Sequence, residues 1–241
     1  MYSLISVGKN PKIEKGNKKQ KIYWSAIMHL HPSNTKICPY QDIAGCKTAC
    51  LNTAGLGGVF QNIQIARQKK TDLFLNDQAE FMTRLIKDIK TFMRACDRKG
   101  KKPALRLNGT SDIQWETIEI EGHTNIFEMF PGIQFYDYTK IPTRKVEHIP
   151  NYHLTWSYSE ANDKYATLFD KVSNNIAVVF RDVLPKVFKG FKVIDGDTHD
   201  MRFLDEPNVV VGLKAKGKAK KDYSGFVINN KKKDLILARA I

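Results

Sequence analysis

The chain has 241 residues, of which 42% are hydrophobic, 27% charged and 10% aromatic; this is the profile of one globular unit and excludes disorder, while the lack of any run of about 18 apolar residues excludes a membrane-spanning helix. Lysine and arginine exceed aspartate and glutamate by 39 − 25 = 14, so the surface is expected to attract polyanions, nucleic acid first among them, against the plainer alternative of a solvated basic surface with no specific partner. The lysines gather at 9–21, 98–103, 214–221 and 230–234, in runs that read as loops without the interleaved aromatics of single-strand binders.

The N-terminal residues lack the apolar stretch and small-residue cleavage site of a secretory signal, so a cytoplasmic, reducing setting is expected. The first predicted strand is "IYWSAIMHLH" (22–31), apolar at alternate positions and stopped by Pro32. A loop follows at 36–55, "KICPYQDIAGCKTACLNTAG", holding three of the four cysteines in a C-x7-C-x3-C spacing. In a reducing compartment such a grouping points to metal or catalysis more than to a disulfide. Zinc would need a fourth ligand beside Cys38, Cys46 and Cys50, for which His29 or His31 stands nearby. A [4Fe–4S] cluster would use the three thiolates and keep one iron open. Three buried small hydrophobes are the alternative to both, and the C-x-x-C of a redox pair is absent. "AGLGG" (54–58) offers backbone amides at the start of a helix, which can cradle an anion.

Two helices are predicted next, over "GGVFQNIQIARQKKTDLFL" and "NDQAEFMTRLIKDIKTFMRACDRKG". The second has Asn76 or Asp77 to cap it, Phe81, Leu85, Ile89 and Phe92 at helical spacing, and Cys96 packed on the same face. From residue 103 short apolar runs alternate with polar clusters: 103–112, 132–140, 151–160, 175–182, 191–197, 208–216 and 225–229. Strands separated by crossovers imply a largely parallel sheet, so the predicted fold is α/β, a single domain over 1–241 forming a partial or complete TIM-like β/α barrel, with an open doubly wound sheet as the competitor.

In such folds ligands meet the carboxyl ends of the strands. Those ends supply Asn108, Thr110, Ser111 and Asp112; Asp137, Tyr138 and Lys140; Ser157, Ser159, Glu160 and Asn162; Asp195, Asp197 and Asp200; and Lys214 and Lys216. "RLNGTSD" suits hydrogen bonding to a polar ligand, or a plain Asx turn opening the next crossover. Tyr136, Tyr138, Trp156 and Tyr158 could stack on a base, although strand alternation lets at most two of them reach a ligand. "DGDTHD" brings Asp195, Asp197, Asp200 and His199 together, as a Mg²⁺ or Mn²⁺ site of a nuclease would. Equally, it reads as an Asp-rich turn neutralised by Arg202, Lys214 and Lys216.

The loop "CPYQDIAGCKTACLNTAG", then "RLNGTSDIQWE", "FYDYTK", "NYHLTWSYSE", "VIDGDTHDMRFLD" and "VVVGLKAKG", in this order from about Tyr23 to Val227, resemble the gene product eighty-eight family of bacteriophages, which looks like distant radical S-adenosylmethionine (SAM) enzymes. The resemblance implies a partial barrel with a [4Fe–4S] cluster on Cys38, Cys46 and Cys50, SAM chelated at the open iron and cleaved reductively, and an electron donor. The spacing is wider than the C-x3-C-x2-C of those enzymes, and Asn108-Gly109-Thr110-Ser111 stands where they carry Gly-Gly-Glu. Of the strand-end residues, Asn108, Thr110, Ser111 and Asp112 are then expected to contact SAM, Lys140, Ser157 and Glu160 to contact SAM or substrate, and Asp195 and Asp197 to face the mouth. The setting would be the host cytoplasm and nucleic acid the substrate class favoured by charge. Two other expectations stand beside this: a non-enzymatic nucleic-acid-binding protein with a structural metal, and the carboxylate-metal nuclease.

Overall fold

The computed structural model describes residues 2–8, 11–172 and 175–230. The strands are β1 (Ile5–Ser6), β2 (Tyr23–Met28), β3 (Lys102–Arg106), β4 (Gln134–Thr139), β5 (Tyr152–Ser157), β6 (Ile176–Phe180), β7 (Val187–Phe188), β8 (Phe191–Asp195), β9 (Val209–Lys214) and β10 (Val227–Ile228). The helices are α1 (Pro11–Lys19), α2 (Gly55–Val59), α3 (Gln61–Asn76), α4 (Gln78–Asp97), α5 (Ile126–Met129) and α6 (Asp163–Ala166). Each apolar run from 103 onward contains a strand, as its alternation predicts.

The ten strands form one mixed sheet in the order β1-β2-β3-β4-β5-β6-β9-β8-β7, with β10 beside the end of β6. From β2 to β8 every pairing is parallel, and β1 and β7 add antiparallel edges. The predicted largely parallel sheet is present; among the described residues it is open, with two-residue strands at both edges. The crossovers also differ from those of a regular barrel. Only β2 to β3 carries long helices, whereas β3 to β4 and β5 to β6 are spanned by single turns of helix.

One face of the sheet is covered by α3 and α4. Asp77 caps α4 by accepting from the Glu80 amide at 3.0 Å, and Phe81, Leu85, Ile89, Phe92 and Cys96 of this helix are buried against Ala26, Met28, Leu105, Phe135 and Leu154 from the strands. The same face continues over β6 and β9 as a second cluster around Trp156, Tyr158, Phe169 and Phe180. Trp156 and Tyr158, candidates for base stacking, are therefore core.

The opposite face is filled in another way. The segment after β8 crosses it, placing Met201 against Ala104 and Tyr136 and the ring of Phe203 4.9 Å from that of Tyr23. Arg106 at the end of β3 donates to Asp200 Oδ2 at 2.8 Å with both side chains buried, and its guanidinium lies 4.6 Å from the centre of the Tyr138 ring. The lysine-rich run expected as a loop at 9–21 is helical over Pro11–Lys19. Proline suits the first turn, Glu14 the positive end of the helix, and Lys18 and Lys19 the negative end, while Ile13 is buried. From α1, Lys12 reaches Gly196 O at 2.8 Å and Asp197 at 3.3 Å, tying the β2 side of the sheet to the β8 side.

Burial alone would raise the Asp200 pKa, but Arg106 and then Lys12 outweigh it and hold the carboxylate at about 2. A depressed carboxylate contributes stability above its unfolded value of about 3.9 and loses it as pH falls toward the folded value. Arg106→Met strands a buried charge, and urea denaturation at pH 7 should register a loss of about 3–5 kcal/mol. The double variant Arg106→Met/Asp200→Leu should recover much of it, and the single variant should unfold in acid at a higher pH than the parent. Equal losses in the single and double variants would refute this account of the pair.

Candidate functional site

A cavity of about 760 Å³ lies at the carboxyl end of the sheet. His29 follows β2, Arg106 ends β3, Tyr138 and Lys140 come from the end of β4, Ser157 from β5, Val179 from β6, Leu213 and Lys214 from β9, and Asp197 and Asp200 follow β8; all border it. This is where ligands meet α/β sheets.

The cysteine loop forms one wall. Its backbone is pinned at three places: Ile37 O accepts from the Asp112 amide at 2.8 Å, Ala44 O from Ser159 Oγ at 2.8 Å, and Gly45 O from Ser224 Oγ at 3.2 Å. Gly45 has φ +64° and a Cβ there would come within 2.6 Å of the Ala161 side chain, so this turn demands glycine. Cys38, Cys46 and Cys50 all border the cavity, whereas Cys96 is fully buried in the core. The three thiols have only weak neighbours: Thr110 O is 3.9 Å from Cys38 Sγ, Gln41 O 3.7 Å from Cys46 Sγ, and the Asn52 amide 3.4 Å from Cys50 Sγ. Burial raises the pKa of each thiol. Lys140 opposes that rise at Cys46 and Arg67 opposes it at Cys50.

The predicted ligand contacts at 108–112 are placed at the cavity, and their side chains are mostly engaged with the protein. Asn108 Nδ2 donates to Ile113 O at 2.9 Å, and its Oδ1 accepts from Ser111 Oγ at 2.8 Å, the Ile113 amide at 3.0 Å and Trp115 Nε1 at 3.2 Å. Thr110 Oγ1 donates to Leu30 O. Asp112 accepts from the Lys140 amide at 2.7 Å and pairs with Arg144 at 3.2 Å. Gly109 sits where a Cβ would meet Met28 O at 2.4 Å, which fixes the approach of this turn to β2. The side chains of "RLNGTSD" thus make the bonds of an Asx turn, and the turn borders the cavity.

Lys140 and Ser157 border the cavity. Lys140 Nζ donates to Ser157 O at 2.9 Å and Tyr158 O at 3.2 Å, and burial lowers its pKa to about 8. Glu160 and Asp195 are not part of the cavity lining. Tyr158 OH donates to Glu160 Oε1 at 3.3 Å, and Asp195 Oδ1 accepts from the Asp197 amide at 2.8 Å in an Asx turn. Asp197 itself pairs with Lys216 at 2.6 Å and Lys12 at 3.3 Å. Of the three carboxylates considered for a hard metal, Asp197 and Asp200 are paired with cations, while Asp195 serves its own turn; Arg202 pairs with Asp205 at 3.2 Å and its charge also helps to hold the Asp200 carboxyl low. His29 borders the cavity with its pKa lowered to about 3, by burial first and then by Arg67, while His31 is outside it.

Sequence reasoning missed Arg67 and Lys70. Both lie on α3 with Ile63 and Ala66, at positions 63, 66, 67 and 70 of one helical face, and all four border the cavity. Arg67 Nη1 donates to Asn52 Oδ1 and packs over Gly57; Lys70 Nζ donates to Leu4 O at 2.8 Å, and burial lowers its pKa to about 8. The only signal in the sequence is that the two cations fall on one helical face, three residues apart, in the helix after the cysteine loop.

The site thus belongs to a mainly parallel α/β protein with a thiol-walled cavity, rimmed by cations, at the carboxyl ends of its strands. A family model described as Gene product 88 matches residues 3–230, and the chain belongs to that bacteriophage-type family. It matches no curated protein and no solved structure. No helix among the described residues is long and apolar enough to cross a membrane.

Two outcomes follow from the site. With thiols held protonated by burial, alkylation of Cys38, Cys46 and Cys50 by iodoacetamide at pH 7 should be slower than that of free cysteine by on the order of tenfold or more, and should accelerate in urea; equal rates in folded and unfolded protein would contradict the burial. Asn108→Ala removes the hub of the 108–115 turn and should cost roughly 3 kcal/mol in chemical denaturation, where a residue serving a ligand alone would cost nothing.

Proposed function

We propose that the chain is a radical-SAM-like iron–sulfur protein, with a [4Fe–4S] cluster on Cys38, Cys46 and Cys50 and SAM beside it in the same cavity. The observation that carries this reading is that three thiols spread over Cys38 to Cys50 all open onto one cavity, with no strong hydrogen bond to occupy them. The donor set, three soft sulfurs, suits iron–sulfur chemistry. Among the described residues no three His, Cys, Asp or Glu groups stand in a metal-holding arrangement, so loading requires the loop to draw the sulfurs together and to release their protons, as thiolate metal binding generally does.

When bound, the cluster supplies the electron, received from an external donor, that cleaves a carbon–sulfur bond of SAM. The chain's own groups supply binding, charge and exclusion of water. Three thiolates carry negative charge, and Arg67 and Lys140 stand beside Cys50 and Cys46 to offset it. The Thr110-Ser111-Asp112 turn and Ser157 present polar groups along the wall, and Leu51, Leu56 and Phe226 keep part of the cavity apolar, which strengthens the electrostatics inside.

Anaerobic reconstitution tests the reading. About four iron and four sulfide per chain are expected, lost in Cys38→Ala, Cys46→Ala and Cys50→Ala and retained in Cys96→Ala. Incubation with SAM and dithionite should then yield 5′-deoxyadenosine. Colourless protein carrying about one zinc would overturn the cluster, and cluster-loaded protein that leaves SAM intact would overturn the SAM chemistry.

A further inference from the structure

A run of exposed lysines lies beside the cavity. After β9 the chain makes a 3-10 turn, Gly217–Lys221, on which Lys218, Lys220 and Lys221 are exposed. Among the described residues none of these three has a carboxylate within ion-pair distance. The nearest acid in sequence, Asp222, is buried, and its carboxylate is turned inward to accept from Ser224 Oγ at 2.8 Å and the Val227 amide at 3.1 Å. The turn is continuous with the main site, since Lys214, Lys216 and Ala219 border the large cavity.

Next to the lysines stands an aromatic side chain that packing does not account for. Tyr223 is 84% exposed. The Arg181 guanidinium lies 4.4 Å from its ring centre and is fixed by donating to Lys220 O and Asp222 O. A second, smaller cavity is lined by Lys218, Lys221 and Tyr223 together with Thr48 and Ser224. Clustered cations with an anchored, exposed ring are the elements by which proteins hold single strands: the cations neutralise phosphates and the ring stacks on a base that no complementary strand covers. A duplex would offer its phosphates but no free base face.

We propose that the rim formed by Lys218, Lys220, Lys221 and Tyr223 binds single-stranded nucleic acid, with phosphates on the lysines and a base on the Tyr223 ring, at the edge of the large cavity. This surface stands apart from the metal reading, because none of its residues is a thiol.

Fluorescence anisotropy of a fluorescein-labelled single-stranded 20-mer, titrated with the full chain over a salt series, tests it. Lys218→Ala/Lys220→Ala/Lys221→Ala should reduce the slope of log affinity against log salt by about 2, from three contacts at ~0.7 each. Tyr223→Ala should weaken binding about tenfold, with Tyr223→Trp restoring it, and the duplex of the same sequence should bind more weakly. Circular dichroism of each variant checks the fold. An unchanged salt slope, a silent Tyr223→Ala, tighter binding of the duplex, or preference for vesicles of anionic lipid over the oligonucleotide would each overturn the proposal. The Cys46→Ala protein should bind the 20-mer like the parent. Cluster failure with intact binding defeats only the metal reading, and the reverse defeats only this one.

Discussion

The buried pair between Arg106 and Asp200 is the constraint on which the site depends. An open sheet leaves one face to be covered by something other than its own strands, and here the segment after β8 performs that role. Packing of Met201 and Phe203 supplies apolar contact, but it is the Arg106 to Asp200 bond at 2.8 Å that fixes where this segment crosses the end of β3. A buried ion pair repays its desolvation only with good geometry and further partners. Arg106 has them in the Tyr138 ring and in Asn108 O, to which its Nε donates at 3.3 Å. The same arginine thus joins the filler segment to the turn that carries Asn108, and both meet at the cavity floor.

A second balance follows from the first. The cavity contains carboxylates that follow β8 and thiols along the cysteine loop that follows β2, and each set is matched by cations from a different element. Lys12 of α1 and Lys216 after β9 hold Asp197, Arg106 holds Asp200, and Arg67 and Lys140 face the thiols. The carboxylates have reached their partners at bonding distance, while the thiols are shielded from water without strong partners. Neutral thiols tolerate that state better than charged groups would, since burial penalises only the ionised form. Cations held nearby mean that ionisation, when a soft ligand induces it, meets compensating charge already in place.

Much of this was legible in the sequence, and the boundary of legibility has a physical basis. The seven apolar runs from 103 onward marked strands because period-two alternation is a local property, and α4 was legible because Phe81, Leu85, Ile89 and Phe92 share one face with a capping Asp77. The location of the site was legible for the same reason: polar clusters end the strands, and parallel strands bring those ends together. The run at 9–21 misled, because lysine density signals exposure and not the absence of structure; Ile13 buried on one side and Glu14 and Lys18 at suitable ends make it a helix. Closure of the sheet was not legible at all, since it depends on the curvature and edges of ten strands and not on any one of them.

The side-chain roles at the strand ends were harder to read for a reason that extends beyond this chain. A turn that leaves a strand exposes amides and carbonyls which burial forbids to remain unpaired. Asn, Ser, Thr and Asp are the residues that satisfy them, and they are also the residues that contact polar ligands. Asn108 shows the consequence: its amide group serves Ile113, Ser111 and Trp115 at once, leaving it to shape the wall. Groups reaching the cavity from outside the sheet face no such demand, and they leave a different trace. Arg67 and Lys70 stand half-buried, three residues apart, on α3, an expensive placement for cations in a helix that also packs on the core through Phe74, unless that side of the helix borders a polar cavity. The informative residues for this site are therefore the half-buried cations of the helix that follows the cysteine loop, more than the polar residues that complete a turn.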